Sequence, residues 1–156
     1  GVQTCALPIF QASAQKGKYP VKRIRAYTQE SISGANTNRE RTAIKKNYHW
    51  IYLETWPGKT VEITHLWIEN VLTGFRIEKT TTPVLHPSGN GMKVIPKSSG
   101  EVFQILKTDE QAVIVDNLKD LPAAYQHYPM VIRYKADGKA YYLFRHPEQL
   151  EKERKQ

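Results

Sequence analysis

The chain has a single cysteine, Cys5, in 156 residues. One thiol can close no internal disulfide and supply no cysteine cluster to a metal, so stapled mini-domains and zinc ribbons are excluded. Long hydrophobic runs are absent as well: no apolar stretch approaches the roughly twenty residues of a membrane-crossing helix. Motifs that carry chemistry are lacking too. Ser88-Gly89-Asn90-Gly91 and Lys97-Ser98-Ser99-Gly100 contain glycine but open no helix, so neither reads as a phosphate-binding loop. The sequence contains neither His-Glu-X-X-His nor the glycine-flanked serine of a hydrolase elbow. Glu54, Glu62, Glu69, Glu78, Asp109, Glu110, Asp116 and Asp120 stand singly or at strand ends, and none lies in an apolar run that would raise its pKa for acid catalysis. The expectation is a protein without a cofactor.

Aromatic residues are plentiful. Three Trp, nine Tyr and four Phe, within a composition 40% hydrophobic, bury enough surface to fold one soluble domain. The net charge of +8 is unevenly placed. Lys16 to Lys46 holds nine basic and two acidic residues, +7, and residues 47–156 hold fourteen and thirteen, +1. A basic N-terminal region of this kind favours anionic partners by long-range attraction, or keeps the edge of a sheet solvated.

Residues 1–14 carry no charge and end in Ala12-Ser13-Ala14 ahead of Gln15 and the basic Lys16-Gly17-Lys18. This is the pattern of the end of a secretory signal peptide with cleavage before Gln15. Gly1 to Ile9 also resembles translated adapter sequence, so residues 1–14 are a signal-peptide remnant or a sequencing artefact. Residues 15–146 are then the folded domain, and 147–156 a flexible charged tail with at most a frayed helical turn. Export to the periplasm or the exterior is the expectation, and a mature chain without cysteine suits it.

From Tyr19 onward the pattern is short alternating segments, the period of strands. Tyr19 to Thr28 reads as a first strand and Gln29 to Thr42 as a long mobile loop. Tyr48 to Thr55 and Thr60 to Glu69 flank Trp56-Pro57-Gly58-Lys59, the composition of a type II turn, and are expected to pair as a hairpin. Further strands follow at Gly74 to Thr81, Met92 to Pro96, Glu101 to Lys107 and Ala112 to Asp116. Leu118 to Tyr128 is irregular, with room for a helical turn at Asp120 and Pro122. The strongest local signal is Asp137-Gly138 between two alternating runs, the composition of a type I′ hairpin. Its two-residue loop sets Ala136 against Lys139, Tyr134 against Tyr141, Ile132 against Leu143 and Arg133 against Tyr142.

Eight or nine short strands with almost no helix make the fold all-β, a single antiparallel two-sheet sandwich of immunoglobulin-like form. A small barrel is the alternative. A signal-peptide end, a basic first strand and a closing Ile-Arg-Tyr-Lys-Ala-Asp-Gly-Lys-Ala-Tyr-Tyr-Leu hairpin together resemble small exported β-sandwich proteins of uncharacterised function from Gram-negative bacteria. That resemblance transfers no functional residue.

Two constellations suggest binding. Lys22, Arg23, Arg25, Lys45 and Lys46 form a basic set for an anionic polymer or envelope partner. Tyr48, Trp50 and Tyr52 alternate with His49, Ile51 and Leu53, so three rings share one face, where they can stack on sugars or bases if that face is the outer one. His49 and His65 lie on strands expected to be neighbours, and the hairpin register brings them only diagonally adjacent, a poor metal pair. These features make the expected function a non-catalytic, exported interaction module for an anionic or glycan-containing partner. The alternatives are an enzyme or accessory subunit whose site is assembled from distant residues, and a nucleic-acid-binding protein, which export disfavours.

Overall fold

Alternating apolar residues and turns at Trp56 to Lys59 and Asp137-Gly138 resolve into β-structure throughout the described residues. A computed structural model of the chain describes residues 9–10, 19–34, 43–112, 118–151 and 153–155. The strands are β1 (Ile9–Phe10), β2 (Val21–Gly34), β3 (Ala43–Thr55), β4 (Glu62–Ile68), β5 (Val71–Leu72), β6 (Phe75–Lys79), β7 (Val84–Leu85), β8 (Lys93–Ile95), β9 (Val102–Lys107), β10 (Met130–Ala136), β11 (Lys139–Arg145), β12 (Glu148–Gln149) and β13 (Glu153–Lys155). Sheet I has the order β1-β11-β10-β4-β5. Sheet II has the order β12-β2-β3-β9-β6, with β13 also on β2, and β7 and β8 form a separate small hairpin. The two large sheets face one another as an all-β sandwich and do not close into a barrel. Among the described residues no helix is long and apolar enough to cross a membrane.

Alternation along each strand decides what lies between the sheets. Val21, Ile24, Ile51, Leu53 and Ile105 from sheet II meet Leu66, Met130, Ile132, Tyr134, Tyr141 and Leu143 from sheet I, all buried. Removing such side chains from water contributes about 1.5–3 kcal/mol each. Both outer faces carry a smaller apolar cluster. On sheet I, Trp67, Val131 and Tyr142 lie beneath Leu121 and Tyr125 of the irregular segment. That segment contains one 3-10 turn, Ala123–Tyr125, preceded by Pro122, whose carbonyl accepts the Tyr125 N–H at 2.9 Å. On sheet II, Tyr52 and Val102 lie beneath Val84 and Ile95 of the β7–β8 hairpin.

The closing hairpin forms with the expected register, Ala136 to Lys139 and Ile132 to Leu143. Asp137 and Gly138 have φ of 52° and 73°, the positive values a type I′ turn requires. Other expectations are corrected. Trp56 to Lys59 does turn, with Gly58 at φ 77° and the Lys59 N–H donating to the Trp56 carbonyl at 3.1 Å. It does not make a hairpin: β3 belongs to sheet II and β4 to sheet I. A type II turn twists against the natural hand of a strand pair, and here it carries the chain across the sandwich instead. Gln29–Gly34, expected as loop, continues β2 and pairs with Ala43–Tyr48 of β3. Thr28 and Ser31 are buried along this extension, so polar composition there marks a ladder and not a loop. Where a frayed helical turn is expected, Glu148–Gln149 and Glu153–Lys155 run parallel to β2. Residues 113–116 of the expected strand Ala112 to Asp116, residues 35–42 of the expected loop, and residues 1–8 and 11–18 lie outside the described residues.

The core makes the fold sensitive to alkali. Burial, and secondarily the neighbouring Tyr141, pushes Tyr134 far above the ordinary tyrosine range. Tyr27, Tyr52 and Tyr125 are also raised, in each case chiefly by burial. A phenol whose folded pKa exceeds its unfolded value of about 10 contributes stability that is complete below pH 10 and drains as pH rises. The protein should therefore lose stability above about pH 10, at up to roughly 1.4 kcal/mol per pH unit for each such tyrosine. Tyrosinate absorbance should rise together with loss of β-sheet circular dichroism. Full tyrosine ionisation with the fold intact would contradict the burial.

Candidate functional site

The β2–β3 ladder presents two faces of opposite character. Ile24, Ala26, Ile51 and Leu53 point inward. In register on the outer face stand Arg23 with Glu54, Arg25 with Tyr52, Tyr27 with Trp50, Gln29 with Tyr48 and Ser31 with Lys46. The aromatic stripe thus lies on the face away from the main core. Tyr52 is buried beneath the β7–β8 hairpin, and Trp50 is half-buried against the same cluster. Tyr48, also half-buried, has its ring centroid 6.3 Å from that of Trp50, at an interplanar angle of 40°.

The five basic residues do not form one patch. Lys22 Nζ lies 3.8 Å from Glu54 Oε2 and Arg23 Nε 3.5 Å from Oε1. A bulge at Val21 to Arg23 lets successive residues reach the same carboxylate. Glu54 is 1% exposed and also accepts a hydrogen bond from Ser98 Oγ, so this carboxylate is held by both cations and a hydroxyl. Arg23 is near Oε1 as an ionic neighbour without donating a hydrogen bond to it. Lys22 Nζ also stands 5.1 Å from the centre of the Trp56 ring. These contacts make Lys22 and Arg23 part of the scaffold. Lys45 points to the other side of the ladder and pairs with Glu30 at 3.7 Å.

Arg25 and Lys46 are different. Both are exposed, and neither forms an ion pair among the described residues. Lys46 Nζ stands 5.4 Å from the centroid of the Tyr48 ring, a cation over an aromatic face. Arg25 Nε reaches the Val94 carbonyl at 3.5 Å, and with Tyr27, Arg145, His146 and Glu148 it lines a recess of about 180 Å³ at the open side between β2 and β11. Arg145 is held below the usual arginine range by burial and then by the Arg25 guanidinium. Glu148 lines the same recess, so the two guanidinium groups stand there with one carboxylate. From Arg25 to Ser31, the register partner of Lys46, the strand rises roughly 20 Å. The outer face thus carries the buried Tyr27 and Tyr52, then the half-buried Trp50 and Tyr48, with Arg25 at one end and Lys46 at the other.

The inner face of the same ladder, beyond the core, opens into a cleft of about 920 Å³ lined by Thr28, Glu30, Asn47, His49, Lys107 and His146 among others. Burial, and then the Lys107 ammonium, hold His49 below the usual histidine range. His65 belongs to sheet I, stacked on Trp67 at 5.1 Å and bonded to Thr64 Oγ1 at 2.9 Å, so the two histidines share no site. The described residues contain no group of three or more His, Cys, Asp or Glu able to hold a metal ion.

Tyr27 and Gln29 join the outer face, and Arg145 the recess beside Arg25, without having been singled out from the sequence. Tyr27 and Gln29 follow from the alternation of β2 once the ladder is known to run past Thr28. Arg145 becomes a neighbour of Arg25 only through packing of the two sheets, for which the sequence holds no local signal. Comparison with protein-family models, with curated protein sequences and with solved structures finds no match to the chain.

Proposed function

We propose that the protein is a non-catalytic binding module of the cell envelope, exported to the periplasm or the exterior, and that it binds an acidic glycan along the outer face of sheet II. The observation that carries this reading is the pair Tyr48 and Trp50, half-buried on a sheet face between the exposed Arg25 and Lys46. Sugar rings present apolar C–H faces that stack on such rings, and acid groups of the same chain meet the two cations. Neither element suffices alone. Lys22, Arg23 and Lys45 are engaged with carboxylates, so simple attraction to a polyanion has fewer free charges than the sequence count suggests.

The test is calorimetric titration with heparin, with neutral dextran of similar length and with single-stranded DNA. Heparin should bind with an affinity that falls as salt rises, because each neutralised charge releases counterions. Dextran should bind about tenfold more weakly or worse, as expected for the loss of one charge-assisted contact. Arg25→Glu should weaken heparin binding by about tenfold without lowering the melting temperature, since Arg25 is exposed. DNA bound as tightly as heparin would move the reading to nucleic acid, and no binding to any of the three would end it.

A further inference from the structure

At the far side of sheet II, β6 pairs with β9 and has no second partner among the described residues. Its sequence is Phe75-Arg76-Ile77-Glu78-Lys79. Two hydrogen bonds fix which backbone groups face outward: the Thr80 N–H donates to the Val102 carbonyl and the Thr108 N–H to the Gly74 carbonyl, both at 2.9 Å. In an antiparallel ladder the groups of alternate residues point to opposite sides. Gly74, Arg76, Glu78 and Thr80 therefore bond toward β9, and Phe75, Ile77 and Lys79 present their N–H and C=O groups to the open edge.

We infer that this edge pairs with β6 of a second copy of the chain, antiparallel, about a two-fold axis at Ile77. Placing Ile77 opposite its counterpart and Phe75 opposite Lys79 satisfies all three outward residues of each copy, with about six hydrogen bonds across the junction. The pairs between them then set Arg76 of each copy opposite Glu78 of the other, at the closer, non-hydrogen-bonded spacing. The neighbouring registers fail on charge: sliding one way sets Arg76 against Arg76, and sliding the other sets Glu78 against Glu78. Edge strands are normally guarded by charges that repel a second copy. Here the two charges have opposite sign at a spacing of two residues, so the edge is complementary to itself, as an isologous interface requires.

Three further observations agree. Arg76 and Glu78 are 65% and 53% exposed and already lie 3.3 Å apart, so pairing builds a four-charge network at little desolvation cost. Ile77 is 39% exposed and borders a recess of about 260 Å³ lined by Val61, Glu62, Ile63 and Phe103. Lys79, which would face Phe75, is drawn aside to Glu101 at 3.3 Å. The axis runs through the sheet, so the outer faces of the two copies share one side. On the function proposed above, two platforms would then meet one repeating polymer.

The experiment is sedimentation equilibrium of the full chain, without glycan, up to about 100 μM. The wild type should dimerise reversibly. Glu78→Arg should raise the dimer dissociation constant about tenfold or more, because two attractive pairs become repulsive. Arg76→Glu, the independent second variant, should do the same, and the double exchange Arg76→Glu with Glu78→Arg should restore the wild-type constant to within about threefold. Circular dichroism confirms that each exposed-site variant folds. A wild type monomeric throughout, a single variant that dimerises unchanged, or a double variant no better than either single one would overturn the inference. None of these outcomes depends on glycan binding.

Discussion

Ile51→Ala should destabilise the protein by about 3 kcal/mol, while the fraction that remains folded binds an acidic glycan as the wild type does. Ile51 is 1% exposed and lies in the main core between the sheets. Cutting it back removes buried methyl groups and leaves a void that close-packed neighbours fill only in part. Its neighbour Trp50 points the other way, so truncation there should have the opposite balance. Trp50→Ala should cost about 1 kcal/mol of stability, because the ring is half-buried, and about tenfold or more in glycan affinity. Denaturant titration and calorimetry on the two variants separate the effects. If Trp50→Ala unfolds the chain as readily as Ile51→Ala does, the stripe is a second core and not a platform.

Gly100→Ala should cost about 2–4 kcal/mol, although the change adds one methyl group. A Cβ at Gly100 would run into the backbone carbonyl oxygen of Thr55, which cannot swing aside as the end of a side chain can. The close approach exists because the two segments are laced together. The Thr55 N–H donates to the Glu101 carbonyl at 2.9 Å, the Glu101 N–H to Thr55 Oγ1 at 3.2 Å, and the Gly100 N–H to Ser98 Oγ at 3.1 Å. Ser98 Oγ in turn donates to Glu54, the buried carboxylate that holds Lys22 and Arg23. Forcing the segments apart strains the whole set, so chemical denaturation should show the loss clearly. A melting temperature equal to that of the wild type would mean that the loop yields freely and that the lacing contributes little.

What could be read from the sequence was whatever depends on neighbours in the chain. Asp137-Gly138 dictates its own turn, and the register of Met130–Arg145 follows from that turn alone. Alternation likewise set Tyr48, Trp50 and Tyr52 on one face of the strand and Ile51 and Leu53 on the other, but which face meets the core is decided by the packing of the sheets. Partners chosen at a distance were not legible. The turn at Pro57-Gly58 has the composition of a hairpin connection, and only the packing of two sheets decides that the chain crosses between them there. The engagement of Lys22 and Arg23 with Glu54 arises from cross-strand register and a bulge. Counting charges along the chain therefore overstated the basic set and overlooked Arg145. The polar run after Thr28 misled for a related reason: serine, threonine and glutamine serve a strand well when a long ladder satisfies their backbone groups.

The binding of a glycan across Tyr48 and Trp50 is tested most directly by the indole N–H signals of the three tryptophans in a nuclear magnetic resonance titration with a heparin oligosaccharide. Trp56 Nε1 and Trp67 Nε1 are buried and serve as internal references, while Trp50 lies half-buried on the proposed platform. The prediction is a saturable shift of the Trp50 signal, with the other two stationary, that needs about tenfold more oligosaccharide in Arg25→Glu. Saturable binding that leaves the Trp50 indole unmoved would contradict it.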